Sequence, residues 1–217
     1  MSSGLSIEEI LKLSPVMPVV TIEDATLAGD LARALVRGGI QTIEVTLRTP
    51  AALRAIEVIA RAVPEICVGA GTVLSVKDLD AAQQAGATFA ISPGATTALL
   101  EAGSRSSIPY LPAVATSSEL MTALSAGYKF FKFFPAAIAG GVAALKAMAG
   151  PFPDIRFCPT GGISEQSAPS YLALKNVLCV GGSWLAPTEL LASRDWDQVQ
   201  SIAERAAALR AHQFAPT

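Results

Sequence analysis

Short β-branched or aromatic runs alternate with Ala/Leu-rich amphipathic stretches along nearly the whole chain, and that alternation restricts the fold more than any other feature. Strands are expected over residues 16–22, 41–47, 67–70, 88–91, 110–114, 130–134, 155–158 and 177–180. Between them helices are expected over 25–37, 51–62, 76–85, 97–103, 118–126, 142–148 and 165–174, with two more at 7–13 and 196–210. Strands that alternate with helices imply right-handed crossovers and a parallel sheet. Eight units at a spacing of roughly 20–25 residues suit a closed (β/α)8 TIM barrel better than the alternative, an open doubly wound sheet. Gly38-Gly39, Gly86 and Gly127 follow helical segments, where a left-handed residue ends a helix. Without a linker or low-complexity stretch, residues 1–217 are expected to form a single barrel domain with an extra N-terminal helix.

Composition narrows the class. With 51% apolar and 16% charged residues, much of the chain must lie between packed layers, as in a parallel sheet covered on both faces. A net charge of −2 and the lack of a Lys/Arg cluster argue against a nucleic-acid partner. Residues 81–100 carry no formal charge, but Gln83, Gln84, Gly86, Thr88, Pro93 and Gly94 interrupt them too often for a lipid-facing helix. No basic region followed by an apolar stretch opens the chain, so a soluble, cytoplasmic protein is expected. Cys67, Cys158 and Cys179 sit in apolar runs without metal-ligand spacing, and the only histidine is His212. Buried reduced thiols and no metal site are the expectation.

Two strands carry chemistry. In Gln41-Thr42-Ile43-Glu44-Val45-Thr46-Leu47-Arg48, Ile43, Val45 and Leu47 share one face, while Thr42, Glu44, Thr46 and Arg48 share the other. The apolar set must meet the helices, so the polar set points into the barrel. A carboxylate and a guanidinium are costly to bury without a purpose. They suit a catalytic mouth, the alternative being a structural Glu44–Arg48 ion pair. In Phe130-Phe131-Lys132-Phe133-Phe134, two aromatics flank the lysine on each side. Desolvation works against an ammonium there, and the neutral amine is the form that attacks a carbonyl to make an imine. Lys132 shares its face with Phe130 and Phe134; Lys129, at the strand's start, can reach solvent. The alternative for Lys132 is an edge lysine that also snorkels to water.

Glycine-rich turns, Thr160-Gly161-Gly162 and Gly181-Gly182-Ser183, follow the last two strands. Loops in those places commonly cradle phosphate with backbone N–H groups and a helix N-terminus, though either alone reads equally well as a plain turn. Thr72 could offer its hydroxyl to an acidic substrate or cap the next helix.

At these residues the chain resembles the 2-keto-3-deoxy-6-phosphogluconate (KDPG) and 4-hydroxy-2-oxoglutarate aldolases of class I. The resemblance rests on Gly39 through Arg48, on Gly127 through Gly140 with Phe131-Lys132-Phe133-Phe134-Pro135-Ala136, and on Val68-Gly69-Ala70-Gly71-Thr72-Val73. Ile91-Ser92-Pro93-Gly94 and Arg156 through Ile163 extend it over nearly the whole chain. It implies Lys132 as the imine-forming lysine, Glu44 as the acid/base, and Arg48 and Thr72 as holders of the substrate carboxylate. It implies Thr160 as the determinant of stereochemistry at C4, and hence the gluconate over the galactonate epimer. The phosphate would fall to Gly161, Gly162, Gly182 and Ser183. A cofactor-free homotrimer acting on a phosphorylated keto acid in the Entner-Doudoroff pathway is implied. Because an imine at C2 stabilises the same enamine, oxaloacetate decarboxylation is a candidate side activity on chemical grounds. One departure is Ala113, where the family usually has glycine. Two rivals remain open: an isomerase or synthase of the phosphate-binding barrels, and a non-catalytic phosphosugar-binding module. Neither needs an imine lysine.

Overall fold

The computed structural model describes residues 4–209, so His212 and the end of the last expected helix, Arg210, lie outside the described residues. Among the described residues nine strands appear: β1 (Val16–Val20), β2 (Thr42–Thr46), β3 (Cys67–Gly71), β4 (Phe89–Ile91), β5 (Tyr110–Leu111), β6 (Ala113–Val114), β7 (Phe130–Phe133), β8 (Arg156–Pro159) and β9 (Val180–Gly182). Every pairing between them is parallel. Six strands, in the order β5-β4-β3-β2-β1-β9, form a half-barrel, and β6-β7-β8 form a second sheet. The single run expected over 110–114 is divided at Pro112, which has no N–H to give to a ladder. Isolated parallel bridges join Phe157 to Val177 and Thr160 to Gly181.

Helices separate the strands as the alternation requires. They are α1 (Ile7–Lys12), α2 (Ala28–Arg37, preceded by a 3-10 turn at Ala25–Leu27), α3 (Ala52–Ala62), α4 (Val76–Gln84), α5 (Thr97–Arg105) and α6 (Ser117–Ser125). Then follow α7 (Gly141–Ala149), α8 (Ala168–Leu172), α9 (Thr188–Ser193) and α10 (Trp196–Ala208). Ser6 with Glu9 and Thr116 with Glu119 make reciprocal capping boxes that start α1 and α6. The N–H groups of Ala115 and Thr116 hold the Glu119 carboxyl below its ordinary range. Helix α8 is shorter than the expected 165–174, with a proline in its first turn. Helix α9 was not expected at all.

The core has two layers, and the division sets the orientation of every site residue. Between sheet and helices lie Ile43, Val45, Phe131, Phe133 and Phe157, all fully buried. Burying Phe131 and Phe133 together contributes roughly 3–6 kcal/mol. A one-residue slip would turn both rings inward and Lys132 outward, so this packing fixes the lysine's direction. The inner layer comprises Met17, Cys67, Phe89, Ile91, Leu111, Cys158 and Cys179, joined by Ile10 and Leu11 of α1. Helix α1 therefore covers the end at which the strands begin. All three thiols are free and buried. A hydrogen bond with Cys158, then burial, pushes the Cys179 thiol well up, so it stays protonated.

Candidate active site

Strand β2 brings Thr42, Glu44 and Thr46 inward, all buried, while Ile43 and Val45 join the outer core. On β7, Lys132 also points inward and is only 5% exposed, against 1% for Glu44. Its Nζ donates to Glu44 Oε1 at 2.9 Å and to Oε2 at 3.2 Å. The snorkelling alternative is thereby excluded, and so is the Glu44–Arg48 pair: Glu44's partner is Lys132. Among the four neighbouring phenylalanines, Phe134 meets the amine, its ring centre 5.5 Å from Nζ. Phe131 and Phe133 pack outward against Phe157. Ala113 and Cys158 are the register neighbours of Lys132 on the flanking strands. The departure at Ala113 thus falls within a strand, where its methyl is buried. Lys129 is exposed.

A primary amine touching a carboxylate out of water is a reactive arrangement. The carboxylate is the nearest acceptor for a proton leaving Nζ, and it can return that proton to an oxygen leaving the carbon that Nζ attacks. Burying such a pair gives little net stability, so packing alone does not explain it.

Arg48 is exposed in the turn after β2, and its Nε donates to Thr72 Oγ1 at 3.3 Å. Thr72 follows β3 with φ 59, in the left-handed region. For a β-branched residue that conformation is rare and costs about 1–3 kcal/mol; it recurs at functional sites. The helix-capping alternative fails, because Ser75 caps α4. Thr72→Gly should relieve the strain, offset in part by the greater freedom of the unfolded chain. A net rise of about 1–4 °C in melting midpoint is expected. A lower midpoint would show that the conformation carries no strain.

The other expected residues lie after β8 and β9. Thr160 is buried, its Oγ1 3.4 Å from the Cys158 carbonyl. Gly161 and Gly162 have φ 101 and 73, conformations that side chains rarely adopt. Gly181 and Gly182 belong to β9 itself, so the second glycine turn begins only at Ser183, which is exposed. Among the described residues, the N–H groups of Gly161, Gly162 and Ser183 donate to no protein acceptor. No helix starts directly at either turn: α8 begins at Ala168 and α9 at Thr188. Arg48, Thr72, Thr160 and both turns all lie just beyond the C-terminal ends of their strands.

A cavity of about 690 Å³ opens at the opposite end of the strands, lined by Gln41, Glu65, Cys67 and Thr88 among others. Among the described residues that line it, the only charged one is Glu65, and burial pushes the Cys67 thiol up. The cavity offers no chemistry to compare with the Lys132–Glu44 pair. Among the described residues no group of three His, Cys, Asp or Glu side chains is placed to hold a metal ion. None of their helices is long and apolar enough to cross a membrane.

Two contributions escaped the sequence reading, although Gly69-Ala70-Gly71 carried a signal for the first. A Cβ on Gly71 would overlap the Glu44 carboxylate, and one on Gly181 would overlap the Thr160 hydroxyl. Two glycines in one inward-facing row, Gly69 and Gly71, mark a place where another side chain needs the room.

Comparison with known proteins agrees with this geometry. The KDPG and KHG aldolase family model matches residues 7–202. The chain is 52% identical over 201 residues to the KHG/KDPG aldolase of Escherichia coli K12, covering 93% of this chain and 94% of that one. It is 50% identical over 204 residues to the 2-dehydro-3-deoxy-phosphogluconate aldolase of Pseudoalteromonas atlantica, covering 94% and 95%. The KDPG aldolase of Legionella pneumophila, with pyruvate captured at low pH as a covalent carbinolamine, superposes with a TM-score of 0.91 at 47% identity, covering 92% of this chain and 97% of that one. With a family match and such identities over nearly its full length, the chain belongs to the KDPG and KHG aldolase family.

Proposed function

We propose that this protein is a class I, Schiff-base aldolase that cleaves KDPG to pyruvate and glyceraldehyde 3-phosphate, and 4-hydroxy-2-oxoglutarate to pyruvate and glyoxylate. The buried contact of Lys132 Nζ with Glu44 carries the reading. The isomerase, synthase and binding-module rivals give no reason for it.

The chemistry follows from those two groups. Neutral Nζ adds to the C2 ketone, and Glu44 takes the proton that the nitrogen sheds. Glu44 passes two protons in turn to the C2 oxygen, the one shed by the ammonium before addition and the one shed after it, so the oxygen leaves as water and an iminium remains. That cation is an electron sink. When Glu44, directly or through a water, removes the C4 hydroxyl proton, the C3–C4 electrons move into the C2–C3 bond. The aldehyde departs and the enamine left on Lys132 is protonated at C3. Water then adds at C2 and releases pyruvate. The pyruvate carbinolamine captured in the Legionella relative corresponds to the last covalent species of this sequence, formed when water adds at C2.

The remaining assignments rest on position. Arg48 and Thr72, joined at the mouth by their hydrogen bond, hold the substrate carboxylate. In the strain-relieved Thr72→Gly variant, KM for the keto acid should therefore rise. Thr160, beside Lys132's neighbour Cys158, selects the C4 configuration of the gluconate epimer. The N–H groups of Gly161, Gly162, Gly182 and Ser183 receive the phosphate.

We further infer one closed (β/α)8 barrel in a single domain, with α1 as its extra helix. The bridges from Phe157 and Thr160 to Val177 and Gly181 support closure on one side, and Pro112 links β5 to β6 on the other. A cytoplasmic homotrimer accords with the resemblance. Exposed Leu74, Val76, Met121 and Ile138 supply apolar surface for subunit contact.

Borohydride reduction in the presence of pyruvate should leave one covalent adduct, mapped by peptide mass to Lys132. An intact mass without adduct, from protein that releases pyruvate from KDPG, would remove the imine mechanism.

A further inference from the structure

We propose that Gly71 is a positioning residue for the reaction, because its missing side chain is the seat of the Glu44 carboxylate. This rests on Glu44 being the acid/base group. Parallel strands β2 and β3 set Thr46 opposite Gly71 and Glu44 opposite Gly69, so the inward row of β3 is Cys67, Gly69 and Gly71. Barrel interiors are normally filled by bulky side chains at such positions. Gly69 yields its space to the ring of Phe89, which is core packing. Gly71 differs: the three atoms nearest a Cβ built there all belong to Glu44, with Oε1 in overlap and Cγ and Cδ at 2.6 and 2.7 Å.

The backbone gives no other reason for glycine. Gly71 lies in β3 and outside the left-handed region, so alanine meets no conformational penalty there. The group that must yield is the far end of a flexible side chain, so the fold can tolerate the methyl at the expense of the carboxylate's position. Both Glu44 oxygens lie within hydrogen-bonding distance of Lys132 Nζ, and a methyl at Gly71 drives Oε1 off that contact. Misplacing a catalytic group by about 1 Å costs on the order of 10²-fold in rate.

The test is a double-mutant cycle on the full chain. Gly71→Ala should lower kcat for KDPG cleavage about 10–100-fold while KM moves less than about threefold. In a Glu44→Ala background no carboxylate remains to displace, so adding Gly71→Ala should change the residual kcat less than about twofold. The melting midpoint of the double variant should equal or exceed that of Glu44→Ala, because the new methyl fills emptied space. Equal losses from Gly71→Ala in both backgrounds would overturn the proposal, as would wild-type kcat in the single variant. Should Gly71→Ala fail to fold, the double variant must fold, or the seat lies elsewhere. Undiminished kcat in Glu44→Ala alone would instead refute the acid/base reading beneath it.

Discussion

Lys132→Met is expected to abolish turnover, lowering kcat/KM for KDPG about 10⁴-fold or more, and to abolish borohydride trapping altogether. Methionine keeps the length and apolar stem of the lysine and removes only the nucleophile. The groups proposed to hold carboxylate and phosphate remain, so binding of a non-reacting phosphorylated acid should change little. The same substitution is expected to cost stability. Glu44 is 1% exposed and would lose the partner 2.9 Å away. Removing one member of a buried pair costs about 3–5 kcal/mol, which for a chain of this size lowers the melting midpoint by roughly 6–20 °C. Replacing Glu44 by leucine as well should recover much of the loss without recovering activity. A Lys132→Met protein that still cleaves KDPG at more than a hundredth of the wild-type rate would move the nucleophile elsewhere.

Strand parity made the inward placement of Glu44 and Lys132 legible. Ile43 and Val45 on one strand, and Phe131 and Phe133 on another, are apolar enough to claim the helix-facing side. Their polar neighbours then have one direction left. What the local pattern could not carry was which inward groups meet. Lys132 and Glu44 stand 88 positions apart, and their contact depends on the register of strands that do not adjoin each other. Arg48 looked as good a partner for Glu44, yet it sits past the strand's end and reaches Thr72 instead. The left-handed backbone of Thr72 left no trace, because threonine is disfavoured there and nothing local announces it. Gly181 and Gly182 read as a turn because glycine has poor strand propensity, whereas pairing with Met17 and Pro18 makes them part of β9.

Glu44→Gln separates the two roles within the buried pair. Glutamine has the size of glutamate, and its amide oxygen can still accept from Lys132 Nζ at the same site. It cannot take a proton, so each transfer in the sequence must fall to water. General acid–base catalysis by a positioned side chain contributes about 10²–10⁴-fold, and kcat for KDPG cleavage should drop by about that factor. The nucleophile remains, so borohydride with pyruvate should still label Lys132, but more slowly than in the wild type. That combination, heavy loss of turnover with slowed yet surviving capture, distinguishes an acid/base from a group that merely holds the lysine in place. A holding role would be filled by glutamine, and turnover near the wild-type level would follow. Loss of capture together with turnover would mean that Glu44 is needed to make the amine nucleophilic at all.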